Sequence, residues 1–304
     1  MSLAPSDLVP PAFARETIER EGEAGRRWIE ELPARIESLL LRWNLRLDGT
    51  PMHGTLGVVL PVLRGSVPLV LKVSWIDRWS ADEGLALQSW AGRGAVRLLD
   101  GAPGQGALLM ERLEPDRTLE SVEALEAAGI AARLLRRLAV PAPPGLRTLA
   151  EEVDGWGRTV EKDGMRGAHG VTKGLPDRVQ QLAMELPVPS EGVLVNEDLH
   201  YGNVLAGKRE PWLVIDPKPL QGVVEYGVAP LLWTRFEEMA DRRALEHRLS
   251  VIVEAGEFDP VQVRGWATVR TFEYLVWAVG SALTEDAART RRLLGWLQPS
   301  WPSS

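Results

Sequence analysis

The stretch LVNEDLHYGNVLAGKREPWLVIDPKPL, Leu194–Leu220, is a poor piece of hydrophobic core. It sets Asp198, His200 and Asn203 close together, then delivers Asp216 from the end of a short apolar run, Trp212–Ile215. Strand ends set among apolar residues seldom carry two carboxylates, an amide and an imidazole, because an unpaired charge taken out of water is expensive. The order of residue types suits a chemical task. One carboxylate can accept a proton from a hydroxyl, while an amide oxygen and a second carboxylate offer hard oxygens to a divalent cation.

Composition narrows the classes of function. The chain has 304 residues, enough for one large domain or two lobes, with a charged fraction of 25% that is ordinary for a water-exposed globular protein. Its net charge of -7 makes it a poor match for nucleic-acid phosphates and a better one for a cationic small molecule. The absence of cysteine excludes disulfides, thiolate catalysis and cysteine-ligated zinc, and four histidines argue against a histidine-rich metal site. The N-terminal residues lack the basic start and apolar stretch of a signal peptide, and no run of about eighteen apolar residues stands out as a membrane span. The expected location is the cytoplasm, with no membrane or nucleic-acid partner.

Working upstream, residues from Pro11 to Trp43 read as helices, with Ile29, Leu32, Ile36, Leu39 and Leu40 at helical spacing and a new helix expected at Pro33. The pattern then changes. Two apolar runs, Val58–Leu63 and Leu69–Val73, flank Arg64–Pro68 and predict a hairpin. A short helix follows in ADEGLALQSWAG, then two strands around a Gly/Pro turn in AVRLLDGAPGQGALLMERL. Past Glu114 most of the chain reads as helical, with loop-like stretches at Val140–Gly145 and Lys162–Gly174. The predicted class is α+β in two lobes: a small, sheet-rich N-terminal lobe with a helical extension over 1–113, and a larger helical lobe over 114–304.

The N-terminal lobe has polar residues of its own to explain. Lys72 lies inside the apolar strand PLVLKVSW. A lone lysine there reads as an edge-strand residue facing water. A glycine-containing turn upstream, in MHGTLGVV, and Glu83 on the helix downstream support a second reading. A strand lysine, a glycine turn and a helix glutamate are the parts that hold ATP phosphates in kinases. At the end of the LLMERLE strand, the carbonyl of Glu111 and the N–H of Leu113 are candidates to bond adenine, and a plain strand end explains them equally well. Asp198 and Asn203 stand in Asp-Leu-x-x-x-Asn, the spacing of a kinase catalytic loop. In that reading Asp198 orients the attacking hydroxyl and takes its proton, and Asn203 and Asp216 bind the Mg2+ that bridges the phosphates.

With these residues in place, GRGAVRLLDG, ALLMERLEPDRTL, NEDLHYGNVLAG and REPWLVIDPKPLQGVVEYGVAPLLW resemble the aminoglycoside/hydroxyurea antibiotic resistance kinases. The likeness runs from about Pro11 to Trp277. It implies a bilobal protein-kinase-like fold and transfer of the γ-phosphoryl of ATP to a hydroxyl of a small antibiotic. It assigns Asp198 as the base, Asn203 and Asp216 as magnesium ligands, and Lys72 as the ligand of the α/β-phosphates.

The chain departs from the family pattern in two places. Asn196-Glu197 stands where His-Gly commonly precedes the catalytic aspartate, so Asn196 is expected to take over the loop's supporting hydrogen bonds and Glu197 to attract a cationic acceptor. GVVEYG stands where many relatives have Gly-Asp-Pro and a later aspartate, which bears on acceptor choice. Glu225, Glu237 and Glu273 are further candidates for acceptor binding. His200 reads as a prop of the loop and His53 as a surface residue. GWATVRTFEYLVWAVG places Trp266, Val269, Phe272, Leu275 and Val276 on a core stripe, with Glu273 and Tyr274 on another face. RFEEMADRRALEHR reads as one charged, solvated helix face. A metabolic kinase of a sugar or amino alcohol, and a nucleotide-binding module without catalysis, are the competing readings.

Overall fold

A 32-residue helix opens the structure, α1 at Pro11–Arg42. Its buried stripe of Trp28, Leu32, Ile36 and Leu39 recurs at three- and four-residue intervals, so one face meets the core. The expected break at Pro33 does not occur; Pro33 lies inside the helix, and the interruption falls at Gly22, with φ 61° and ψ -134°. Glycine alone enters that region without a Cβ penalty. The helix cost of an interior proline, about 3 kcal/mol, is offset where buried side chains on the same face contribute about 1.5–3 kcal/mol each.

The computed structural model describes residues 8–159 and 174–298. The stretch 162–173, expected to be a loop, lies outside the described residues. The chain divides into two compact units, Met1–Glu114 with Gly207–Pro211, and Pro115–Ala206 with Trp212–Ser304. The return of Gly207–Pro211 to the first unit was not foreseen from the sequence, since five residues inside a later segment carry no local mark of a distant partner.

In the first unit, β1 (Arg46–Leu47), β2 (Met52–His53), β3 (Gly57–Arg64) and β4 (Val67–Ser74) precede α2 (Glu83–Trp90), and β5 (Leu98–Ala102) and β6 (Ala107–Glu111) follow it. The strands form one sheet in the order β1-β3-β4-β6-β5, with β2 on β3. All these pairings are antiparallel. Leu69, Leu71 and Val73 alternate along β4 and join Val58, Leu60 and Val62 of β3 in a core that includes the α1 stripe. The β5–β6 turn needs Gly106: it sits at φ 65°, and a Cβ there would lie 2.3 Å from the carbonyl oxygen of Ser74.

β7 (Glu114–Thr118), a strand the helical reading of this region overlooked, starts at the last residue of the first unit and leads into the second, which continues through α3 (Ala124–Leu138), α4 (Leu149–Thr159) and α5 (Leu175–Glu185). Then come β8 (Val193–Asn196), β9 (Val204–Ala206), β10 (Trp212–Val214) and β11 (Pro219–Gly222). The helices α6 (Pro230–Trp233), α7 (Arg242–Gly256), α8 (Pro260–Gly280) and α9 (Thr284–Leu297) complete it. β10-β9-β7 form one small sheet and β11-β8 another. The core stripe of α8 is as expected: Trp266, Val269, Phe272 and Leu275 are buried together with residues of α5 and α9. The charged segment beginning at Arg235 is not one helix face. It is a 3-10 turn at Phe236–Glu238, then α7, whose N-cap Asp241 accepts a hydrogen bond from the Ala244 N–H at 3.0 Å. Arg248 of that helix is buried and donates to the carbonyl of Arg235. Among the described residues no helix is long and apolar enough to cross a membrane.

Candidate active site

Strand order decides the reading of Lys72. β4 lies between β3 and β6, so Lys72 is on a central strand, opposite Val59 on one side and Leu108 on the other. Period-two alternation turns it away from the Leu71 and Val73 face. Its Nζ meets both oxygens of Glu83, at 2.8 and 2.7 Å, with lysine 9% and glutamate 2% exposed. Glu83 occupies the first turn of α2, where the helix dipole favours a carboxylate. Two buried ions in this geometry offset one another's desolvation. Upstream, the glycine turn is closed by the Gly54 N–H on the carbonyl of Gly57 at 3.0 Å, and His53 is exposed beside it.

β6 ends at Glu111, whose N–H donates to the carbonyl of Arg97 at 3.1 Å. Its side chain is occupied: Oε1 accepts from the Arg97 N–H at 2.8 Å and from Arg209 Nη2 at 2.7 Å. The anchor of Gly207–Pro211 in the first unit is therefore an ion pair between Arg209 and the last residue of β6. Leu113 is half-buried two residues beyond.

In the second unit a frame of two strands holds the catalytic-loop candidates. β8 and β11 pair antiparallel, with Asn196 opposite Pro219. The chain leaves β8 at Asn196, makes the loop and the 3-10 turn Tyr201–Asn203, runs through β9 and β10, and returns past Asp216 to β11. Asn196 stitches the two ends. Its Oδ1 accepts from the N–H of Asp198 and from the N–H of Lys218, both at 3.1 Å. His200 is a prop, as expected, with Nδ1 accepting from the Gly202 N–H at 3.2 Å. Tyr201 is buried with its hydroxyl donating to the carbonyl of Leu231 at 2.9 Å, and burial pushes its phenol up to about 12.

The structure brings Asn203 and Asp216 into one place. The N–H of Ile215 donates to the carbonyl of Asn203 at 2.9 Å, and Asn203 Nδ2 donates to the carbonyl of Asp198 at 3.4 Å. With its amide nitrogen turned to the loop, Asn203 presents Oδ1 as a hard-oxygen donor. Asp216 is exposed and sits at φ 48°, a left-handed conformation that few residues other than glycine and asparagine or aspartate adopt. Strain of this kind concentrates at functional positions. One carboxylate and one amide oxygen are hard-oxygen donors of the kind that suits magnesium. Among the described residues no group of three His, Cys, Asp or Glu side chains gathers as a metal site.

Lys218 was not singled out from the sequence, yet its Nζ lies 2.6 Å from Asp198 Oδ2. The signal was present in Asp216-Pro217-Lys218-Pro219: two prolines hold the backbone extended, and a lysine between them, beside a functional aspartate, has few ways to turn.

Glu197 requires a correction. It was expected to face a cationic acceptor, but it is 2% exposed and already doubly paired. Oε1 accepts from Arg147 Nη2 at 2.5 Å and Oε2 from Arg270 Nη1 at 2.8 Å, while its backbone carbonyl accepts from Arg270 Nη2 at 2.9 Å. Burial draws the Arg270 guanidinium down, but Tyr226, Glu197 and Glu273 together reverse this and raise it. The carboxylate thus fastens the loop from below and contributes no free charge. Glu225 is corrected likewise: it is buried, and its Oε1 accepts from the Asp259 N–H at 3.4 Å. Glu237 is exposed and pairs with Arg292 at 3.6 Å. Glu273, half-buried, lies 3.5 Å from Arg270 Nη1.

The family model of the aminoglycoside/hydroxyurea antibiotic resistance kinases matches residues 42–281. The chain belongs to this family. Among its relatives is a streptomycin 6-kinase of Streptomyces griseus, 38% identical, with 92% of this chain and 93% of the relative covered. A streptomycin 6-kinase of Streptomyces glaucescens is 36% identical over 93% of this chain and 95% of its own. A hydroxyurea phosphotransferase of Kitasatospora aureofaciens is 38% identical over 89% and 80%. Among solved structures, aminoglycoside phosphotransferase APH(4)-Ia in ternary complex with ADP and hygromycin B aligns with a TM-score of 0.59 at 15% identity, covering 86% of this chain and 97% of that one. Choline kinase LicA from Streptococcus pneumoniae aligns at 0.61 and 14%, covering 88% and 99%. These two likenesses establish the protein-kinase-like fold, an α+β chain with an antiparallel sheet in its first part and helices in its second.

Proposed function

We propose that this protein is an ATP- and magnesium-dependent phosphotransferase that moves the γ-phosphoryl of ATP to a hydroxyl of a small cationic antibiotic, with streptomycin the leading acceptor. The observation that carries the reading is the loop on the β8–β11 frame, in which the Asn203 amide donates to the Asp198 carbonyl and the N–H of Ile215, the residue before Asp216, donates to the Asn203 carbonyl. The identity to two streptomycin 6-kinases over nearly the whole chain supports the acceptor.

The roles follow from the chemistry of each group. Asp198 accepts the proton of the acceptor hydroxyl as its oxygen bonds to the γ-phosphorus. The bond from that phosphorus to the β–γ bridging oxygen breaks, and ADP leaves. Lys218 holds the Asp198 carboxylate in a fixed orientation. Asn203 and Asp216 are the residues that would hold magnesium, whose charge would neutralise the phosphates. Lys72, itself held by Glu83, binds the α/β-phosphates, and the Glu111 carbonyl with the Leu113 N–H binds adenine. Positioning and charge supply most of the acceleration, because the reaction asks the protein for little covalent work.

ADP release measured with streptomycin, hydroxyurea, a neutral sugar and no acceptor tests this. Release is expected with streptomycin and requires magnesium. Release with the sugar alone would favour the metabolic-kinase reading, and release with none of them that of a binding module. In calorimetry, Asp216→Ala is expected to remove the magnesium dependence of ATP binding; an unchanged Mg-ATP affinity would take Asp216 out of the metal site.

A further inference from the structure

α8 carries a second stripe besides its core one. Arg270, Glu273, Tyr274 and Trp277 stand at i, i+3, i+4 and i+7, which places them on one helix face. Tyr274 is stacked between two tryptophans. Its ring centroid lies 4.9 Å from that of Trp233, at the end of α6, and 5.4 Å from that of Trp277, with interplanar angles of 22° and 18°. The buried stripe of α8 is made of other residues, Trp266, Val269, Phe272 and Leu275. Its inner end is 8% exposed at Trp233 and its outer end 54% exposed at Trp277.

The ladder is anchored to the catalytic loop. Arg270, one helical turn before Tyr274, donates to the backbone carbonyl of Glu197, the residue preceding Asp198, and its guanidinium also lies 5.8 Å from the Trp233 ring centroid. The Tyr274 phenol is raised first by burial; Arg289 opposes this, and the Asp198 carboxylate adds to the rise. Glu273 brings a half-buried carboxylate to the same stripe.

We propose that Trp233, Tyr274 and Trp277 form the wall that recognises the acceptor: a flat, delocalised cation such as a guanidinium-bearing ring stacks against the exposed Trp277 end. This rests on the phosphotransferase reading above and supplies what that reading lost when Glu197 and Glu225 proved to be buried. Cations over tryptophan faces are favoured by the negative ring face, and delocalised guanidinium, being weakly hydrated, leaves water more readily than ammonium.

The test uses streptomycin, which carries two guanidinium groups, and the variants Trp277→Ala and Trp277→Phe. Val261→Ala, 74% exposed on the same helix, serves as the control. Trp277→Ala is expected to raise the KM for streptomycin and its calorimetric Kd by about tenfold, the equivalent of about 1.4 kcal/mol of cation–π attraction. The KM for ATP and the thermal midpoint are expected to hold. Trp277→Phe should recover most of the binding. A wild-type Kd and KM for streptomycin in Trp277→Ala overturns the wall while leaving the phosphotransferase reading intact. A wild-type enzyme that neither binds nor turns over streptomycin overturns both.

Discussion

Asp198→Asn is expected to lower the proposed phosphorylation of streptomycin by about a hundredfold or more, the usual loss when a positioned general base is removed, and to leave Mg-ATP binding close to its starting value. The expectation follows from the position of Asp198 in the loop. The side chain is partly open, in an ion pair with Lys218 at 2.6 Å, and its backbone N–H is fixed on Asn196. Asparagine preserves shape and the backbone bond. It cannot take a proton from an attacking hydroxyl, and it surrenders the charge that holds Lys218. Asn203 contacts the backbone carbonyl of residue 198, which the substitution leaves in place. The measurement is a single-turnover rate alongside nucleotide calorimetry. A rate within a few-fold of the wild type would remove Asp198 from the chemistry, and a lost ATP affinity would mean that its role is in binding.

The parts of the fold that were legible in the sequence are those governed by local pattern. Lys72 stands out as one charge inside the apolar run PLVLKVSW, and the helix beginning at Glu83 lies only eleven residues away, so the pair could be named. The interval from Asp198 to Asn203 is fixed by one loop and one 3-10 turn. Long-range choices left no such trace. The partners of Glu197 are 50 and 73 residues distant, and a carboxylate beside a catalytic aspartate looks the same whether it faces an acceptor or two arginines. The arginine in TVRTFEYLVW was the available clue, since a buried helix face does not keep a guanidinium without a carboxylate to meet it. Tyr274 was seen to leave the core stripe, but the stack with Trp233 joins residues 41 positions apart and could not be read from either segment. The break in α1 was misplaced because Pro33 announces itself by its chemistry, while Gly22 matters only through the backbone angles it adopts.

Arg270→Met destabilises the protein by about 3–5 kcal/mol, the cost of breaking a buried ion pair from one side. The guanidinium donates to the Glu197 carboxylate at 2.8 Å, the Glu197 carbonyl at 2.9 Å and the Tyr226 hydroxyl at 3.1 Å, and lies 3.5 Å from the Glu273 carboxylate, with its Cζ 4.7 Å from the Tyr226 ring centroid. Methionine fills much of the stem's volume, so the loss reports charge and hydrogen bonding more than cavity formation. Glu197 then keeps only Arg147, itself raised by Glu197 against the downward pull of burial. Removing the carboxylate as well should relieve the penalty. Glu197→Gln combined with Arg270→Met is therefore expected to cost less than the sum of the two single changes, since neighbours in one network do not add. Denaturant midpoints of the four proteins decide it. Strict additivity, or an Arg270→Met midpoint equal to the wild type, would show that the arginines do not fasten the loop through Glu197. A coupling of the expected sign would mean that the buried carboxylate beside Asp198 does structural work, leaving acceptor charge to be read elsewhere.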